Sequence, residues 1–233
     1  MSWKISSQVL ELRYPPTFVV WDNVGAISMG LKIGSVPLQV VKAGAQTVTL
    51  KTENEANAFS FQVDSTRIEE NTEHFPEFGF QEVCENAIKV LLSHVKIPVL
   101  SRVGHRIFFR KEFNSLDQSK IELNKFLNAW IDPGKLLSKP DGPLASCEVD
   151  GVHFAFSNQD FGLHLKIRHL SIQFNANPEF KPYLKDSFKP ERYYVEYDID
   201  LFTKKAMDIN SFLPNEYIRG NLKYIHDKIL PGA

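Results

Sequence analysis

Two stretches of strand-like alternation, each followed by a helical apolar stripe, predict an α+β chain. The expected architecture is twisted antiparallel sheet in two halves of similar grammar, each closed by an amphipathic helix. Apolar residues alternate with polar ones from Val9 to Val63, the period of half-buried strands. The spacing turns helical from Phe80 to Val95 and again from Ile218 to Ile229. Three prolines and two glycines between Asp132 and Pro143 mark a boundary, so the halves run 1–131 and 144–233 within one compact unit.

Taken in order, Leu10, Leu12 and Tyr14 share one strand face, and Pro15-Pro16 ends that run because proline donates nothing to a ladder. Ile27, Met29, Leu31 and Ile33 read as a second strand face, Val48 and Leu50 as a third, and Phe59, Phe61 and Val63 as a fourth. Phe80, Cys84, Ala87, Ile88, Leu91 and Val95 then line one side of a long helix, with Pro98 as its stop. A strand from Leu100 to Arg110 follows. Ser115-Leu116-Asp117-Gln118 has the form of a capping box before a shorter helix carrying Leu123, Phe126, Leu127 and Trp130.

The second half opens on Asp150-Gly151 between two short apolar runs, the signature of a two-residue hairpin whose turn needs positive φ. Strands at Leu163–Phe174 and Tyr193–Thr203 come next, then a helix with Ile218, Leu222, Ile225 and Ile229. Along the first of these strands Leu163, Leu165 and Ile167 alternate, and Leu170, Ile172 and Phe174 restart out of phase. A period of two cannot bridge that step. Either both faces are buried, one before Arg168 and the other beyond it, or a β-bulge at Arg168-His169 restores the phase. The bulge is expected because His164, Lys166 and Arg168 would be hard to bury, and it would aim Arg168 or His169 at a contact.

Composition narrows the function. A formal net charge of −1 creates no global field toward nucleic acid or anionic lipid, so any such site is a local patch. Two cysteines, Cys84 and Cys147, are too few for a disulfide framework and read as reduced small hydrophobes. Met1-Ser2-Trp3-Lys4 does not open a signal peptide, and the longest apolar runs are far short of the ~20 residues that cross a bilayer. A cytoplasmic protein without a membrane partner is expected.

Two rows of charge carry what chemistry there is. Arg102, Arg106 and Arg110 share one strand face with Phe108, and guanidinium forks beside an aromatic ring suit phosphate or nucleobase contacts. Glu196, Asp198 and Asp200 share a face about 7 Å apart, a spacing at which carboxylates can gather a hard cation. The preceding strand offers His164, Lys166 and Arg168, so cross-strand ion pairs account for the acidic row more simply. On that reading Asp198→Asn costs under about 1 kcal/mol, as exposed pairs do. No histidine pair has metal-binding spacing, no Gly-x-Ser-x-Gly elbow occurs, and no cofactor motif is present.

Glu11-Leu12-Arg13-Tyr14, Arg102-Val103-Gly104-His105-Arg106, Asp198-Ile199-Asp200-Leu201-Phe202 and His226-Asp227-Lys228-Ile229, in this order, resemble landmarks of a sporadically distributed family of bacterial proteins of similar length. The chain departs from that pattern by stopping at Pro231-Gly232-Ala233. The resemblance implies a patchily inherited bacterial gene on mobile or defence islands. It implies no activity and assigns no functional residue. Together these readings favour a non-enzymatic binding or regulatory protein that recognises another protein. Binding of nucleic acid or nucleotide through Arg102, Arg106, Arg110, Phe108 and Arg168 comes second, and a metal-dependent hydrolase using Glu196, Asp198 and Asp200 third.

Overall fold

Strand β1 (Lys4–Arg13) sends Gln8, Leu10 and Leu12 inward at the expected period of two. Its ladder with β5 (Ser65–Asn71) is antiparallel, with Leu10 opposite Ile68. The same layer continues through Phe59 of β4 (Asn57–Gln62) and Leu50 of β3 (Thr47–Thr52) to Val40 of β2 (Leu38–Gly44). The buried members, Leu10, Ile68, Phe59 and Leu50, fix this pairing, because a one-residue slip would turn each of them outward, whereas Val40 on the last strand is exposed.

The structure is a computed structural model and describes residues 2–32, 37–44, 47–76, 78–130, 138–139, 142–143, 151–173 and 191–230. The remaining strands are β6 (Val99–Leu100), β7 (Arg102–Phe113), β8 (Ser138–Lys139), β9 (Gly142–Pro143), β10 (Gly151–Ser157), β11 (Phe161–Gln173), β12 (Glu191–Thr203) and β13 (Met207–Asp208). Nine strands form one antiparallel sheet in the order β10-β11-β12-β7-β1-β5-β4-β3-β2. The helices are α1 (Val19–Asp22), α2 (Val24–Gly30), α3 (Phe80–His94), α4 (Leu116–Trp130) and α5 (Pro214–Lys228).

The chain divides into two compact units, each assembled from separate segments: residues 1–4, 109–154 and 165–198 in one, residues 5–108, 155–164 and 199–233 in the other. In the larger unit, Val83, Cys84, Ala87 and Leu91 of α3 and Ile218 of α5 join Leu10, Leu50, Phe59 and Ile68 in one hydrophobic core. In the smaller unit, Ser119 and Leu123 of α4 are buried, and Lys111 Nζ bonds Glu122 Oε1 at 2.7 Å. Trp3 meets Tyr197 edge-on, with ring centroids 4.5 Å apart.

Four expectations are corrected. Ile27, Met29 and Leu31 lie in and beside helix α2 rather than a strand; Ile33 is outside the described residues. Val20, Ile27 and Leu31 are the buried members, spaced by seven and four, so the helical period was present but hidden under a coincidental alternation with Met29. The second helix is not the shorter one: α4 has 15 residues, as α3 does. Half of its capping box forms: Ser115 Oγ accepts from Gln118 N at 3.3 Å, whereas Gln118 Oε1 accepts from Asn114 N, one residue before the cap. Gly151 is the first residue of β10 and not a turn residue of positive φ; the rest of the expected hairpin, with Cys147, lies outside the described residues. A Cβ on Gly151 would sit 2.7 Å from the Ile167 carbonyl oxygen, so the glycine serves close strand approach. Finally, Arg168 does not reach out as a free contact, as described below. Strand β11 spans Phe161–Gln173, and its burial changes phase at His169-Leu170, both half-buried, at the step where the bulge is expected; Phe174 lies outside the described residues.

Candidate functional site

Strand β12 lies between β11 and β7 in the sheet. The acidic row Glu196, Asp198, Asp200 therefore runs along a strand flanked by both basic rows; the β11 neighbour was expected from the sequence, the β7 neighbour was not. In the smaller unit, Glu196 is the centre. Its side chain is 1 % exposed, and its two oxygens are divided between two arginines. Arg110 Nε donates to Oε2 at 2.8 Å, and Arg168 donates to Oε1 from Nε at 3.0 Å and from Nη2 at 2.7 Å. The Arg110 guanidinium also lies 5.9 Å from the Tyr194 ring centroid. This is a desolvated carboxylate satisfied by charge-assisted bonds, an arrangement that fixes strands together. Asp198 is 4 % exposed, so the small cost expected of an exposed pair does not apply to it.

In the larger unit the centre is Asp200. Arg102 Nη2 donates to Asp200 Oδ2 at 3.3 Å while its guanidinium stacks 4.1 Å from the centroid of Phe202. His164 meets the same ring edge-on at 5.2 Å. Gly162 leaves room for that ring, since a Cβ there would fall 2.2 Å from it. Arg106 lies 4.9 Å over Phe108. Burial pushes the Asp200 carboxyl above its ordinary range, opposed by the nearby Arg102, Arg106 and His164 and assisted by Glu11. Among the described residues no group of three His, Cys, Asp or Glu side chains is placed to hold a metal ion.

Two features escaped the sequence reading. The first is apolar surface on α1 and α2: Phe18 is 72 % exposed, Met29 77 % and Trp21 38 %. Trp21 and Met29 lie on the sides of short helices whose other side, Val20 and Ile27, reaches the core, and Phe18 is the N-cap of α1. The second is a buried polar line of Gln8, Glu70, His105 and Asn221 in the larger unit. Gln8 and Glu70 share the inward phase of Leu10, Leu12, Thr66 and Ile68, so polar residues at core positions were the available signal. Cys84 is a buried thiol, held well above its ordinary range by burial.

No protein-family model and no curated protein matches this chain. Among the described residues no helix is long and apolar enough to cross a membrane.

Proposed function

We propose that this chain is a non-enzymatic binding or regulatory protein that recognises another protein through the apolar surface of α1 and α2. The observation that carries the reading is the exposure of Phe18, Trp21 and Met29 within a twelve-residue segment. Phe, Trp and Met are enriched at the centres of interfaces, and apolar side chains so displayed cost solubility unless something covers them. Residence in the bacterial cytoplasm belongs to the same proposal and rests on the family resemblance. So does a relation between the two halves, supported by strands β1–β5 preceding α3 and strands β10–β12 preceding α5.

A photo-crosslinking phenylalanine analogue at position 18 tests the proposal in cells. One cross-linked partner is expected there and none from the same analogue at Tyr224, which is also exposed but lies on α5. Equal labelling from both positions, or none from either, would sink it. A second reading, contact with nucleic acid or nucleotide, is supported by Arg106 and Phe108, both half-buried, with the guanidinium over the ring. Its mark is affinity for an oligonucleotide that falls steeply with salt, because phosphate contacts release counterions.

A further inference from the structure

Four buried side chains from four elements form a line of hydrogen bonds in the larger unit. Asn221 Nδ2 of α5 donates to His105 Nδ1 on β7 at 3.5 Å. The ring proton then sits on Nε2, which donates to Gln8 Oε1 on β1 at 3.4 Å. The same amide donates from Nε2 to Glu70 Oε2 on β5 at 3.2 Å. Every donor points the same way, so the line ends on the Glu70 carboxyl.

That carboxyl is 4 % exposed and poorly provided for. Its other oxygen, Oε1, has no hydrogen-bond partner among the described residues, and neither does Nδ2 of Asn57, its register partner on β4. The groups acting on it are the Gln8 amide and the surrounding apolar burial, with the Cys84 thiol of α3 close enough to feel its charge. The imidazole on the same line, His105, is itself held neutral by burial, which lowers its pKa to about 3, and stacks on Phe80 at 5.9 Å. Glu196 shows what this fold does with a buried carboxylate that is charged: it supplies two arginines. Glu70 receives one amide. A lone charge in such surroundings is far costlier than a neutral acid.

We propose that Glu70 is a pH-sensitive element built into the fold: a carboxylic acid kept protonated in the core, whose ionisation loosens α3 from the sheet. Helix α3 is the element that gives way because it packs on β5, the strand that carries Glu70, with Cys84 near enough to feel the charge, and water must enter on that side to solvate it.

The direction of the effect follows from proton counting. Glu70 loses its proton near 4.5 in an unfolded chain and, held up by burial, at about 7 in the fold. Between those values the folded state carries a proton that the unfolded state lacks. Stability from this group is therefore complete at low pH and lost as pH rises, by up to about tenfold per pH unit in the unfolding constant. His105 works the other way. It is protonated below 6.5 when unfolded and only below about 3 when folded, so its contribution is lost as pH falls through that window. The two slopes oppose each other between about 4.5 and 6.5, and the glutamate is unmasked above.

The test compares urea unfolding of the full chain and of Glu70→Gln from pH 4 to pH 8. The ratio of the two unfolding constants cancels every other titrating group. It is expected to climb at least tenfold with pH, in favour of the variant, and to level off above about 7. A ratio independent of pH overturns the proposal. Should Glu70→Gln fail to fold, the natural chain answers through its infrared spectrum. A protonated-carboxyl C=O band that persists above pH 6, disappears across pH 7 and survives Asp200→Asn supports the proposal, and absence of such a band sinks it. Loosening of α3 is read separately, by amide exchange at Val83–Ala87 that accelerates above pH 7 beyond the intrinsic rate. Unchanged protection there would remove α3 from the proposal.

Discussion

Glu196 and Glu70 occupy comparable depths in their respective units and are treated in opposite ways. Two arginines make Glu196 a structural anion, so its loss strands two cations in a partly buried setting. Glu196→Gln is expected to lower stability by about 2–4 kcal/mol, discounted for the partial exposure of Arg110 and Arg168. Urea unfolding measures it, and a loss below about 0.5 kcal/mol would mean the pairs add nothing beyond solvated charges. Both arginines were readable in the sequence as members of basic rows, and the pairing of Arg168 with the acidic row was expected. What could not be read was the use of Arg110. An arginine facing an unknown ligand and one facing a carboxylate of the next strand look identical until the strand order is known.

At the scale of elements, two local devices set where strands and helices pack. Gly162 of β11 lets the outer end of the Phe202 ring of β12 approach its backbone, with the Arg102 guanidinium stacked on that ring. Gly162→Ala should cost about 1–3 kcal/mol by overpacking. In a Phe202→Ala background the same change should cost nearly nothing, and a double-mutant cycle showing simple additivity would refute the contact. The second device is the cap of α4. Ser115→Ala is expected to cost about 1 kcal/mol, read as a shift in the denaturation midpoint with an unchanged denaturant slope. This cap was legible because it is a four-residue chemical pattern. The Asp150-Gly151 signal is equally local, yet Gly151 opens β10 because its missing Cβ is needed against Ile167 and Arg168. Glycine answers two different needs, positive φ and close approach, and only the neighbouring strand decides between them.

Across the whole molecule, stability should be uneven. Leu10, Ile68 and Ile107 sit on inner strands of the sheet with no solvent exposure, whereas α1 and α2 are short helices that bury Val20 and Ile27. Backbone amides of the three strand residues are expected to exchange only through global unfolding, and those of Asn23–Ile27 through local opening several kcal/mol cheaper. Equal protection in native-state hydrogen exchange would show that α1 and α2 are tied to the fold more firmly than their burial suggests. Replacing Phe18 and Met29 with Ser should leave the melting temperature nearly unchanged, because both side chains already face water.

Periodicity and local chemistry determined the α+β class, the inward faces of β1, β3 and β4, the long stripe of α3, the cap of α4 and the final helix. Each depends on residues within a few positions of one another, where backbone geometry alone dictates which side chains share a face. Tertiary structure decided what those faces meet. It placed the acidic row of β12 between two basic rows, turned 24–30 into a helix against the core, and brought Gln8, Glu70, His105 and Asn221 into one buried line from positions more than two hundred residues apart in the chain. Such pairings carry no local signature, because the energy that selects them is desolvation, and desolvation depends on which elements happen to cover a side chain rather than on its neighbours in sequence.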